Sequence, residues 1–306
     1  MAISRRILGD IRQGLQRLLH AANPHGKTVS NHDLPPCTLA ACLIFKNESD
    51  YLKEWLDYHL VVGVERFFLF NNNSEDNFHV VLAPYIAAGI VVLRDFPRRK
   101  AQVPAYNTCL KDYGASARWI AFIDIDEFLC PTIADTVPEV LRNYEAYPAV
   151  ALNWLMFSSS GHILKPGGLV IENYTKCQAA GNRHVRLIVD PARTERFVSA
   201  HEAVFHNAGR AVNVLGTAVA GPHSTPAEIA PLRVNHYWTR SVEEYFIKKL
   251  GRGDVNDMTT LRDIHGLITS ETYYSDGTDR SILRFVGKVK KCSSAVSGNK
   301  IRQTDV

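Results

Sequence analysis

The 306-residue sequence has six cysteines, at 37, 42, 109, 130, 177 and 292, but no CxxC pair and no metal-finger spacing. Zinc modules and dithiol redox motifs are therefore not expected. Several of the cysteines fall in apolar segments, the pattern of reduced, buried thiols in a cytosolic protein; the alternative is a disulfide pair in an exported one. No stretch reaches the roughly 18 uninterrupted apolar residues that a membrane-spanning helix needs. A secretory pattern is also missing, because charges interrupt every apolar core between Met1 and Ala22. A cytoplasmic protein is the expectation. The net charge is only +4, and residues 1–27, with Arg5, Arg6, Arg12, Arg17 and Lys27 against Asp10, carry all of the excess. The remainder is close to neutral, which argues against nucleic acid as a partner. No internal repeat is visible.

What the sequence does contain centres on Trp119 to Ile123, an apolar run that ends on Asp124 and Asp126. A continuous run suits a strand buried on both faces of a parallel sheet. Acids at its carboxyl end stand where open α/β sheets hold ligands. On extended chain, i and i+2 spacing would point both carboxylates the same way. They would then form a hard oxygen site for Mn²⁺ or Mg²⁺ able to clamp a diphosphate. The plainer alternative is a strand end capped by solvated acids.

Around that stretch, strand and helix alternate about every 25 residues. Thr38 to Phe45, Arg66 to Phe70 and Ile90 to Leu93 read as strands. Ser49 to Val62, Asn77 to Ala88 and about Ala101 to Tyr113 read as helices, the first capped by Asn47 or Ser49. Right-handed crossovers and a parallel sheet follow. The second half loses the rhythm. Ala149 to Leu155, Leu169 to Tyr174, Val185 to Val189, Ala211 to Val214 and Arg233 to Asn235 read as strands, and Ser241 to Leu250 as a helix. Residues 3–20 place Ile3, Ile7, Leu8, Ile11, Leu15, Leu18 and Leu19 on one helical stripe with arginines mostly off it. Such a basic amphipathic helix either touches an anionic membrane peripherally or packs on protein. Three regions are expected: this helix and a linker over 1–36, an enzyme domain over 37–286, and a disordered tail over 287–306.

A nucleotide-binding βαβ half, an acid pair ending a central strand and a mixed second half describe an α/β fold of the GT-A glycosyltransferase type. The resemblance is closer still. Cys42-Leu-Ile-Phe-Lys-Asn-Glu-Ser-Asp-Tyr-Leu-Lys-Glu-Trp55, Asp57-Tyr-His59 and Gly63-Val64 resemble the opening of glycosyltransferase family 92 and its family 2-like bacterial relatives. So do Asn71-Asn-Asn-Ser74, Gln102, Trp119 to Phe128, Ser159-Ser-Gly-His162, Val170-Ile-Glu172 and Asn235-His-Tyr-Trp-Thr-Arg-Ser241, all in the expected order.

The resemblance implies inverting transfer of a sugar from a nucleotide-sugar donor, UDP-linked in the preferred reading, to a hydroxyl of a glycan or glycolipid. Bacterial relatives suggest a surface polysaccharide or glycolipid, which would bring the chain to the inner membrane face. Asp124 and Asp126 would hold the metal, with Asp124 alternatively serving ribose or water, and His236 would complete the site or else be a structural histidine. Lys46, Asn47 and Glu48 leave the first strand beside the expected nucleobase and ribose. Asn71 and Asn73 are nucleotide candidates or turn residues. Arg240, where the relatives commonly have lysine, with Lys248 and Lys249, would meet the diphosphate. The base that takes the acceptor proton is open between Glu172 and Glu202, with His201 next to the latter. Trp154, Phe157 and His162 are acceptor-side candidates, with buried core the alternative for Trp154. Two rivals remain at this point: a sugar-phosphate nucleotidyltransferase, whose Gly-rich loop is absent after the first strand, and a non-catalytic sugar- or nucleotide-sugar-binding module of the same fold. A dehalogenase-type phosphatase fits worse, since its acids follow the chain's first strand.

Overall fold

The computed structural model describes residues 36–248, 271 and 274–298. The amphipathic helix and nearly all of the linker, Lys249 and residues 299–306 lie outside the described residues.

Strands β1 (Cys37–Phe45), β2 (Arg66–Asn71), β3 (Val91–Asp95) and β4 (Ala117–Phe122) alternate with helices α1 (Ser49–Val61), α2 (Phe78–Ala87) and α3 (Gln102–Tyr113). The strands pair in parallel in the order β3-β2-β1-β4. Parallel pairing brings the carboxyl ends of β1, β2 and β4 to one edge, so residues 46–48, 71–74 and 124–126 gather there. Beyond β4 the sheet turns mixed. There follow β5 (Glu127–Pro131), α4 (Val137–Leu141), β6 (Ala149–Met156), α5 (Val170–Asn173), β7 (Lys176–Cys177) and β8 (Asn182–Val189). Then come β9 (Thr194–Ser199), β10 (Glu202–Phe205), β11 (Ala211–Val212), β12 (Ala218–Val219), β13 (Leu232–His236), α6 (Val242–Phe246), β14 (Gly277–Thr278) and α7 (Val286–Gly298). The main sheet runs β12-β11-β6-β8-β4-β1-β2-β3, with β13 paired to β6 and β5 paired to β13. β8 is antiparallel to both β4 and β6, so the acid-bearing strand has a parallel neighbour on one side only.

Two expectations are corrected. Leu169 to Tyr174 is not a strand: Val170–Asn173 is a short helix, because Glu54 of α1 accepts the free Val170 and Ile171 N–H groups at 2.8 and 3.1 Å. Over its described part the expected tail is not disordered: Val286–Gly298 is a helix against α1, with Val289 fully buried. Its Ser293 hydroxyl donates to Asp57 Oδ2, while Tyr85 Oη donates to Asp57 Oδ1 at 2.7 Å and Lys53 pairs with the same carboxylate. An apparently period-free, lysine-rich stretch is helical because this buried carboxylate needs its donors. The cap of α1 also differs from expectation: neither Asn47 nor Ser49 caps it, and the Ser49 N–H donates instead to Asp76 at 2.7 Å.

The motif Glu54-Trp-Leu-Asp-Tyr-His59 has a task at nearly every position. The Trp55 indole donates to the carbonyls of Asp124 and Glu127, at 3.1 and 3.0 Å. Tyr58 Oη donates to the Leu129 carbonyl at 2.8 Å. His59 donates from Nδ1 to Trp55 O and accepts the Leu129 N–H at Nε2, which fixes a neutral tautomer. One helix face therefore clips down the acid turn and β5.

Burial lowers the His59 pKa to about 3, so the native state refuses a proton that the unfolded chain accepts below about 6.5. The stability difference between wild type and His59→Gln, measured by urea denaturation, is expected to shrink by about 2 kcal/mol from pH 7 to pH 5. A difference independent of pH would show that His59 takes up its proton in the fold as readily as in the unfolded chain.

Candidate active site

The chain does not stay extended through Asp124-Ile-Asp126. It turns, with Glu127 N–H donating to Asp124 O at 3.1 Å, so the two carboxylates meet different partners. The expectation that both point the same way is corrected on this ground. Asp124 Oδ1 accepts from Gln102 Nε2 at 2.7 Å, and Oδ2 pairs with Arg186. Asp126 Oδ2 pairs with Lys248, and its Oδ1 faces His236 Nε2 at 3.6 Å. Strand register places the histidine there, because His236 ends β13 directly opposite Glu127 of β5.

Glu127, fully buried, holds the turn from inside. Its Oε2 accepts the Asp124 N–H at 2.9 Å, and both its oxygens accept from Arg186 Nε at 2.9 and 2.8 Å. Arg186 NH1 also donates to Ala200 O at 3.0 Å, which ties the β9–β10 turn to the acids. Sequence reasoning missed Arg186. The available signal was a lone charge inside the apolar run Val185 to Val189.

Burial, against the pull of Arg186, pushes the Asp124 carboxyl up to about 6. Burial works the same way on Asp126, but Lys248 and His236, with Arg240 behind them, outweigh it and hold that carboxyl well below the usual range. Of the two, Asp126 is the permanent anion.

Arg240 is buried in the left-handed region at φ +54°, an uncommon and strained conformation for a side chain of its size. Its guanidinium lies 3.4 Å from the Tyr51 ring centroid and 3.6 Å from Glu48 Oε2, which joins α6 to the loop after β1. The asparagines serve the turns. Asn47 and Asn73 have φ of +54° and +56°. Asn47 Oδ1 accepts from Glu75 N at 2.7 Å, and Asn71 spans Ser74 N and Asp95, each at 2.9 Å. Lys46 opens the same loop, directly after β1.

The structure therefore brings Glu48, Asp124, Asp126, His236, Arg240 and Lys248 to one edge, and it does not bring Glu172 into contact with them. Glu172 accepts from Lys290 at 2.6 Å and from the Leu169 N–H at 3.3 Å, closing the first turn of α5. Glu202 opens β10 on the hairpin that Arg186 anchors. Trp154 is packed on both sides, stacked on His184 at 5.2 Å with the Arg186 guanidinium 5.6 Å away, and its edge contacts are His236 at 4.5 Å and His201 at 5.4 Å. The ring is nevertheless only partly buried. Phe157 is core against Tyr237, and His162 bonds to Asn173 O at 3.3 Å.

Among the described residues no three or more His, Cys, Asp or Glu side chains form a ready metal cage. The donor chemistry still fits a divalent cation at Asp126 and His236. The two side chains are adjacent through His236 Nε2, while the buried Nδ1, without a hydrogen-bond partner, stands 3.9 Å from Glu127 Oε1. Asp124 does not belong to that pair, being held by Arg186 and Gln102.

Curated proteins of plants align with this chain. A glycosyltransferase family 92 protein of Oryza sativa is 33% identical over 155 residues, 49% of this chain and 26% of its own length. Another from Ricinus communis is 28% identical over 223 residues, 71% of this chain and 38% of that one. A galactan beta-1,4-galactosyltransferase of Arabidopsis thaliana is 29% identical over 118 residues, 35% of this chain and 23% of its own. The matches span between about a quarter and two fifths of those relatives. The model of glycosyltransferase family 92 matches residues 37–254, from the first strand past Lys248 and so across every side chain of the edge described above, and the chain belongs to that family.

Proposed function

We propose that the chain transfers a glycosyl residue from a nucleotide sugar, UDP-linked, to a hydroxyl of a glycan or glycolipid, with inversion. The observation that carries the reading is the edge itself: a permanently charged Asp126 beside His236, ringed by Lys248 and Arg240, at the carboxyl ends of parallel strands. Family membership, and the galactosyltransferase activity named for the Arabidopsis relative, support it.

In this reading Glu48 and the loop after β1 receive the nucleoside, and Lys248 and Arg240 face its diphosphate. Mn²⁺ or Mg²⁺, held by Asp126 and His236, would draw off charge from the departing diphosphate. The acceptor oxygen bonds to the anomeric carbon as the bond to phosphate breaks. The electron pair leaves with the nucleoside diphosphate and the acceptor proton goes to a base. Glu202 is the base we favour, since Glu172 is engaged by Lys290. The basic segment over residues 1–20 would hold the chain at the cytoplasmic face of an anionic membrane, near a lipid-linked acceptor.

Hydrolysis of UDP-sugars, offered singly with Mn²⁺ and no acceptor, tests the donor. One sugar is expected to be turned over at least tenfold faster than the rest; binding without turnover of any would leave a sugar-nucleotide-binding module instead.

A further inference from the structure

A cleft of about 270 Å³ opens between β8, the β9–β10 hairpin and the β11–β12 edge, lined among others by Leu187, His201, Glu202, Phe205, Arg210 and Val219. It begins close behind the acids. Ala200, at its hairpin turn, takes the Arg186 bond at 3.0 Å, and the His201 ring stands edge-on to Trp154, which in turn packs on His236.

Its polar groups are unengaged, unlike those around it. Neither the Glu202 carboxylate nor the Arg210 guanidinium has a hydrogen-bond or ion-pair partner among the described residues, whereas Glu127, Glu172, Glu244 and Arg186 all do. His201 is committed at one nitrogen only. Its Nδ1 is 2.8 Å from the Val185 carbonyl and must donate to it, which leaves Nε2 as a neutral acceptor. Burial lowers its pKa to about 4, so the ring stays uncharged near neutrality.

We propose that this cleft is an acceptor subsite that takes one neutral sugar ring of an oligosaccharide, a proposal that rests on the transferase reading above. Size, charge and chemistry agree. The volume falls just under the roughly 300–1,000 Å³ of pockets that enclose larger ligands, so a single ring fits and a nucleotide sugar does not. One carboxylate and one guanidinium cancel, so no net field selects an acidic sugar. Two acceptors and one fork of donors match hydroxyls, which both give and take hydrogen bonds. The apolar remainder, with the Phe205 ring, suits a C–H face. An acceptor ring seated here lies against Glu202, the base favoured above, so the subsite and the proton acceptor share a residue.

The test is calorimetric titration of the full chain with β-1,4-galactotetraose in the absence of donor, and in a separate run with UDP and Mn²⁺. The wild type is expected to bind the tetraose. Arg210→Ala should weaken it at least tenfold, and Ala220→Trp, at the exposed rim, should abolish it, with melting temperatures certifying that both variants fold. Wild type that takes up UDP but no neutral tetraose overturns the subsite and leaves the transferase reading intact. Variants that bind the tetraose normally, or a wild type that prefers an oligogalacturonide, also overturn it. A wild type that binds the tetraose but takes up no UDP with Mn²⁺ strikes the transferase reading and leaves the cleft a neutral-sugar site without an acceptor's role.

Discussion

Asp126→Asn is expected to lower both glycosyl transfer and donor hydrolysis by roughly 10²–10³-fold, the range found when one preorganised electrostatic contact to a developing charge is lost. The substitution keeps the shape and removes one charge. That charge faces Lys248 on one oxygen and His236 on the other, and it persists at every working pH because its partners outweigh its burial. Without it a hard oxygen ligand is gone and Lys248 loses its counter-charge. Steady-state kcat/KM with a saturating divalent metal measures the effect, and a denaturation curve checks that the fold survives. Retention of more than a tenth of the wild-type rate would remove Asp126 from the chemistry.

The second large effect belongs to stability. Arg186→Met leaves Glu127, a wholly buried carboxylate, and Asp124 without their shared guanidinium. Removing one member of a buried ion pair costs about 3–5 kcal/mol, which in a domain of this size lowers Tm by roughly 10 °C. The Asp124 turn should loosen with it, since Glu127 holds the Asp124 N–H through the same carboxylate. Combining Arg186→Met with Glu127→Gln should recover part of the loss, because the stranded charge is then gone. Equal melting of Arg186→Met and wild type would mean that the triad contributes nothing to the fold.

The first half was legible in the sequence because its strands are continuous apolar runs and its helices end close to Gly63, Gly89 and Gly114. β1, β2 and β4, and the place of Asp124 and Asp126 beyond β4, follow from that pattern alone. What sequence could not give is what long-range partners decide. Val170–Asn173 has strand-like residues, yet it is helical because Glu54, 116 residues away, supplies the missing acceptor. Glu127–Pro131 was hidden by its position directly after the turn, and its pairing with Leu232–His236 is what sets His236 beside Asp126. The divergence of the two aspartates depends on Arg186 and Gln102, whose proximity no local spacing encodes. Asp126 follows from the strand-end pattern and His236 from the family resemblance, and the two lie together. Glu172 was named the same way, and its carboxylate is engaged by Lys290.

The bond between Ser293 and Asp57 crosses 236 positions of chain. On a ribosome, α1 emerges before the segment that covers its outer side, so the Asp57 carboxylate and the apolar strip around Tyr58 stay uncovered until residues 285–293 follow. A nascent chain halted between the two would expose that strip to other chains.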